Sequence, residues 1–220
     1  TNYKDNSTNK FVNVVTNGDS KRGISKVTTE TVRRVLEGLA WLDHNHNGLQ
    51  DDGDVALLSG VKVQLLRLKD GSDADKEDSY EEVCYPETKE KIEIQTGQQV
   101  SVRAKDSSSI TWYDTEEPVT SNSTVEKSGR YRFMDLPPGT YAVRFSDGDM
   151  SISRLKPTVF KVEGGSEDEN SDGKPFEENG IFAGTMIYDI KMPTPEEIKN
   201  NGGSLVYRSE HNDSGFYPKS

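Results

Sequence analysis

Alternation of apolar and polar residues, rather than helical spacing, organises this chain. Val61, Val63 and Leu65 alternate with Lys62 and Gln64 behind Gly60, the period-2 pattern of a strand with one buried face. Tyr131 and Phe133 alternate with Arg130 and Arg132, and Tyr141, Val143 and Phe145 share a face that excludes Arg144. Aromatic and aliphatic side chains should therefore face a core, and the arginines water. Between these two runs Pro137-Pro138-Gly139 fixes φ twice and then permits a positive φ, so the chain reverses there. Residues 38–42, Gly-Leu-Ala-Trp-Leu, read as the first firm strand, whereas 30–36 fits a strand or a helical turn equally well. Ile92, Ile94, Val100 and Val102 flank Thr96-Gly97 as a hairpin within 69–128, a long polar insertion. Further strands are expected over 158–162 and 181–188, and a short helix after Pro195, ahead of Gly202-Gly203.

Short strands separated by turn residues, with no strand–helix alternation, predict an all-β chain: an antiparallel β-sandwich of about seven strands. Residues 1–36, polar with short β-branched pieces at 11–15 and 26–29, read as an N-terminal segment or linker. Residues 37–217 read as the sandwich domain carrying the 69–128 insertion.

Composition narrows the function. A formal charge of −11 excludes a basic nucleic-acid binder. Leu, Ile, Val and Phe make up about 21% of the chain, close to the lower limit for a packed core, so a thin core with long loops is expected. No apolar run approaches the roughly 20 residues that span a bilayer, and the opening TNYKDNSTNK lacks the apolar centre of a signal peptide. The expectation is a soluble, excised or mature fragment without membrane insertion. Cys84 is the single cysteine, which excludes an internal disulfide and a Cys-based zinc cluster, and it reads as an incidental buried thiol. A secreted chain without disulfides needs other staples, and the carboxylate excess favours bound metal.

One loop has the spacing for that. Asp43-x-Asn45-x-Asn47-Gly48-x5-Asp54 puts oxygen ligands at positions one, three, five and twelve of a twelve-residue calcium loop, with glycine at six. Alternate residues of a tight loop aim short side chains at one centre, and Gly48 permits the sharp reversal. Leu49 would supply its backbone carbonyl at position seven, and Asp51 stands at nine, directly or through a water. Asp54 is shorter than the usual Glu, so bidentate binding there is weaker. Oxygen donors alone select calcium over zinc, and His44 and His46 occupy the outward positions. Strand-like sequence flanks the loop where a helix pair would otherwise stand. A second acidic constellation, Asp168-x-Asn170-x-Asp172-Gly173, breaks the pattern at Phe176 and Asn179; Glu177, Glu178 or distant Asp213 could complete a cage, and a solvated acidic loop is the rival reading.

Three passages together carry a resemblance: Trp41-Leu42-Asp43 through Asp54, Leu58-Ser59-Gly60-Val61-Lys62-Val63-Gln64-Leu65, and Gly129-x-Tyr131-x-Phe133-x-x-Leu136-x-x-Gly139-x-Tyr141-x-Val143-x-Phe145. From about residue 37 to the closing Asp213-Ser214-Gly215-Phe216-Tyr217 the chain resembles the calcium-binding B-type repeats of serine-aspartate-repeat surface proteins of Gram-positive bacteria, relatives of the collagen-adhesin B domain. The resemblance implies a seven-stranded transthyretin-like or immunoglobulin-like sandwich, one well-formed calcium loop and further acidic calcium sites. It also implies an extracellular stalk role on the bacterial cell surface, beside neighbouring domains of the same protein and anchored to the cell wall through a region outside this fragment. The insertion is longer than a plain repeat carries. It opens an alternative, an adhesive module binding a host or bacterial surface ligand, with Trp112 and Tyr113 as candidate contacts. Related domains also form Lys–Asn isopeptide cross-links, which makes an isopeptide-linked pilin-like domain a further alternative; Lys62 lies on a strand with outward parity and lacks a convincing Asn partner. A dockerin-like reading would need a duplicated helical segment. No enzyme is expected, because His44, His46 and His211 have no Ser or Cys motif to partner them.

Overall fold

In the computed structural model, residues 2–4, 10–16, 25–51, 56–84, 89–97, 129–133, 136–201 and 206–220 are described. Three strands, β1 (Asn2–Lys4), β2 (Lys10–Thr16) and β3 (Ser25–Thr31), form an antiparallel sheet of their own. After Val32 comes β4 (Arg33–Leu42), the organising strand of the second sheet. It is flanked by β5 (Ala56–Leu57) and β9 (Arg130–Phe133) antiparallel, and by β14 (Val206–Ser209) and β15 (Ser214–Pro218) parallel. Strand β11 (Leu155–Pro157) closes its edge on β15. The third sheet is antiparallel throughout. It comprises β6 (Lys62–Leu68), β7 (Tyr80–Glu82), β8 (Glu93–Gln95), β10 (Gly139–Ser146), β12 (Lys174–Glu178) and β13 (Ile181–Met192), in the order β12-β13-β10-β6-β7 with β8 also on β6.

The alternating runs face where their period requires. Tyr131, Phe133, Tyr141, Val143 and Phe145 are buried with Leu36, Ala40, Val61, Val63, Leu65 and Phe216 in the main core, while Arg130 is exposed and Arg132 and Arg144 are half-buried. Strand β6 is covered on both faces. Its Leu66 joins Tyr80, Ala142, Phe176 and Met186 in a second apolar cluster. The Tyr131 and Phe145 rings meet edge-on at 5.5 Å between centroids, and the Tyr131 hydroxyl donates to the Asn212 carbonyl at 2.7 Å. The short helix expected after Pro195 begins at that residue, α1 (Pro195–Asn200), opened by a capping box between Thr194 and Glu197.

The all-β expectation holds, with differences of detail. Among the described residues each of the two larger sheets has six strands, because pieces as short as β5 and β11 are too brief to show alternation in sequence. The first firm strand begins at Arg33, which resolves 30–36 as strand rather than helical turn. Residues 158–162 are not a strand. The backbone turns there, with Lys161 at φ 44° and only an isolated bridge between Phe160 and Ser171. The first part of the 69–128 insertion is integral to the sandwich: β7 and β8 both pair with β6, and Val83, Ile92 and Ile94 lie in the main core. Val100, Val102, Trp112 and Tyr113 lie outside the described residues. Cys84 is half-buried rather than buried.

Candidate metal centre

Strand β4 delivers Asp43 to the edge of the sandwich, where its N–H donates to the Phe216 carbonyl on β15 at 2.7 Å. The chain then folds into a tight loop by side-chain to backbone bonds two residues apart. Asn45 Oδ1 accepts from Asn47 N at 3.1 Å, and Asn47 Oδ1 accepts from Leu49 N at 2.9 Å. His46 and Gly48 take positive φ of 58° and 80°. Glycine is required at 48, since a Cβ there would stand 2.6 Å from Val162 Cγ2.

Asp43 is 1% exposed. Its Oδ2 accepts from Gly48 N at 2.8 Å and from the Thr158 hydroxyl, whereas its Oδ1 is buried with no hydrogen-bond partner. An acceptor oxygen on a buried carboxylate, left without a donor, is costly unless a cation completes it. Asp51 gathers the two asparagines from the other side: Asn45 Nδ2 donates to its Oδ1 at 3.2 Å, and Asn47 Nδ2 to its Oδ2 at 2.5 Å. Asp43, Asn45, Asn47 and Asp51 are thus linked to one another or to the loop backbone within one short loop, which Leu49 joins through its N–H on Asn47 Oδ1. Asp54 lies outside the described residues.

The donor set is carboxylate, amide and carbonyl oxygen, which suits calcium. Among the described residues no three His, Cys, Asp or Glu side chains gather in a group that could hold a metal ion, and the described part of the loop carries two carboxylates, Asp43 and Asp51, beside its amide oxygens. His44 and His46 are exposed, and the His46 ring lies 4.4 Å from that of Tyr217.

The second constellation lies against the first. Leu49 bridges Asn170, and Gln50 N donates to the Glu169 carbonyl at 2.8 Å. Its members are divided. Asn170 is committed to the backbone, accepting from Val162 N at 2.9 Å and donating to the Gly165 carbonyl at 3.0 Å. Asp168 is exposed and faces His211 Nε2 at 3.5 Å. Asp172 and Asp213 do meet: Asp172 N donates to the Asp213 carbonyl at 2.8 Å. Burial raises the Asp172 carboxyl above its ordinary range despite Lys161 at 3.5 Å. Asp213 accepts from Leu39 N at 2.9 Å and Gln50 Nε2 at 3.0 Å, and burial pushes it up to about 6.

Thr158 and Gln50 escaped the sequence reading. No motif marks either, and only the fold brings Thr158 to a residue 115 positions away. Lys62 on β6 stands opposite Ser146 of β10 and Gln95 of β8, while the buried Asn212 amide is spent on Glu37 and Ser209 carbonyls.

Compared with known proteins, the chain matches no family model and no curated sequence.

Proposed function

We propose that this chain is a calcium-stapled spacer of a bacterial cell-surface protein, a structural module rather than an enzyme, flanked by neighbouring domains of the same protein. The observation that carries the reading is the buried, unpartnered Oδ1 of Asp43 at the first position of an oxygen-ligand loop. Calcium at that point would join three stretches distant in sequence. The loop is bonded to β15 through Asp43 and Phe216, to Thr158, and to 169–170 through Gln50 and Leu49. Cation binding would therefore appear as folding energy, because the ligands are assembled only in the native chain.

The topology suits a spacer. Strand β14 pairs with the start of β4 and β15 with its end, both parallel, so the entry of β4 and the exit of β15 lie at opposite ends of one strand. Ten residues of β4 separate them by about 30 Å. No described helix is long and apolar enough to cross a membrane.

Calorimetric titration of the full chain with calcium tests the reading. One saturable site that Asp43→Ala abolishes is the expected result; a wild-type chain giving only the heat of dilution overturns it.

A further inference from the structure

We infer that Thr158 is a positioning residue of the cation loop, and that its hydroxyl decides which oxygen of Asp43 is left to bind the ion. The inference rests on the calcium reading of the loop and adds to it a residue far outside the motif. Asp43 has two carboxylate oxygens in a site that is 1% exposed. One of them, Oδ2, is saturated by two donors, the Gly48 N–H from within the loop and the Thr158 hydroxyl from outside it. The other, Oδ1, receives none. The division makes Asp43 a one-oxygen ligand and fixes the rotation of its carboxylate before any ion arrives. A ligand whose second oxygen is held by a neighbouring donor loses less freedom on binding, and such outer partners typically contribute about 10–100-fold in metal affinity.

The surroundings of Thr158 separate this role from plain packing. Its backbone N–H donates to the Gly215 carbonyl at 2.9 Å, and its Cγ2 lies close against Gly215, where an added Cβ would approach within 2.7 Å. Main chain and methyl group thus hold the residue in place without help from the hydroxyl. Thr158 is 5% exposed, so no water replaces the hydroxyl freely when it is removed. Valine keeps the shape and both of those contacts and deletes only the donor to Asp43. Serine restores the donor and deletes only the methyl.

The experiment is a calcium titration by calorimetry on the full chain in three forms, wild type, Thr158→Val and Thr158→Ser, at a temperature where circular dichroism shows all three folded. The expected result is calcium binding about tenfold weaker in Thr158→Val, with Thr158→Ser within about twofold of wild type. Should the valine variant fail to fold, Thr158→Ala takes its place against serine, and the same gap is expected between them. Equal affinities in the hydroxyl-bearing and hydroxyl-free forms, with wild type binding calcium, overturn the role of Thr158 and leave the loop reading intact. A wild-type chain that binds no calcium overturns both.

Discussion

Replacing Asp43 by Asn separates the charge that would hold calcium from the shape that holds the loop. The amide oxygen can still accept from Gly48 N and the Thr158 hydroxyl, as Oδ2 does now. The amide nitrogen then stands where Oδ1 is buried without a donor, and it cannot ligate a cation. Without calcium, Asp43→Asn should be no less stable than wild type, because an amide is cheaper to bury than a carboxylate lacking a counter-charge. With calcium at about a hundred times its dissociation constant, wild type should gain about 2.7 kcal/mol. For a chain of this size that is a rise in melting temperature of about 5–11 °C. The assay is a pair of thermal melts by circular dichroism, in excess chelator and in excess calcium, for both proteins. Wild type should shift and Asp43→Asn should not. A variant that keeps the whole shift would refute the placement of the ion at Asp43, and a wild type with coincident melts would refute the ion altogether.

Gly48→Ala should destabilise the chain by about 2 kcal/mol with or without calcium, since φ of 80° strains an L residue and the added carbon meets Val162; chemical denaturation measures it, and an unchanged midpoint would contradict the loop geometry. The Asp213 carboxyl, raised to about 6, gives a pH dependence in chelator. Between the unfolded value near 3.9 and about 6 the native chain holds a proton that the unfolded chain has released, so stability falls as pH rises through that window, by about 3 kcal/mol, and levels off above it. Urea melts across that range should show this slope in wild type and lose it in Asp213→Asn; parallel profiles would place the titration elsewhere.

What could be read from sequence was whatever depends on neighbours close along the chain. The alternation around Tyr131 and Tyr141 named the buried faces because period 2 is a local property of extended backbone. The turns of the 43–49 loop were legible for the same reason, since Asn45 and Asn47 bond backbone N–H groups two residues on. The parallel pairing of β4 with β14 and β15 joins segments more than 170 residues apart and leaves no local trace. Gln64 shows the limit of pattern reading: alternation assigns it to water, yet it is buried, its Oε1 accepting from Arg144 Nη1 at 3.4 Å on the face of β6 that carries Leu66 and the second apolar cluster. The acidic spacing at 168–172 was also a partial guide, because Asn170 fits the ligand pattern while its amide serves the backbone of its own turn. Thr158 had no mark at all, its contact with Asp43 arising from where the turn after β11 comes to rest.

Diffraction from crystals grown in calcium, with anomalous differences collected, measures the site itself. A bound ion would give an anomalous peak about 2.3–2.6 Å from Asp43 Oδ1 and the Leu49 carbonyl, with the Asn45 and Asn47 amides turned to present oxygen. A water-strength peak without anomalous signal, hydrogen-bonded to Asp43 at ordinary distances, would contradict a calcium staple at this end of the sandwich.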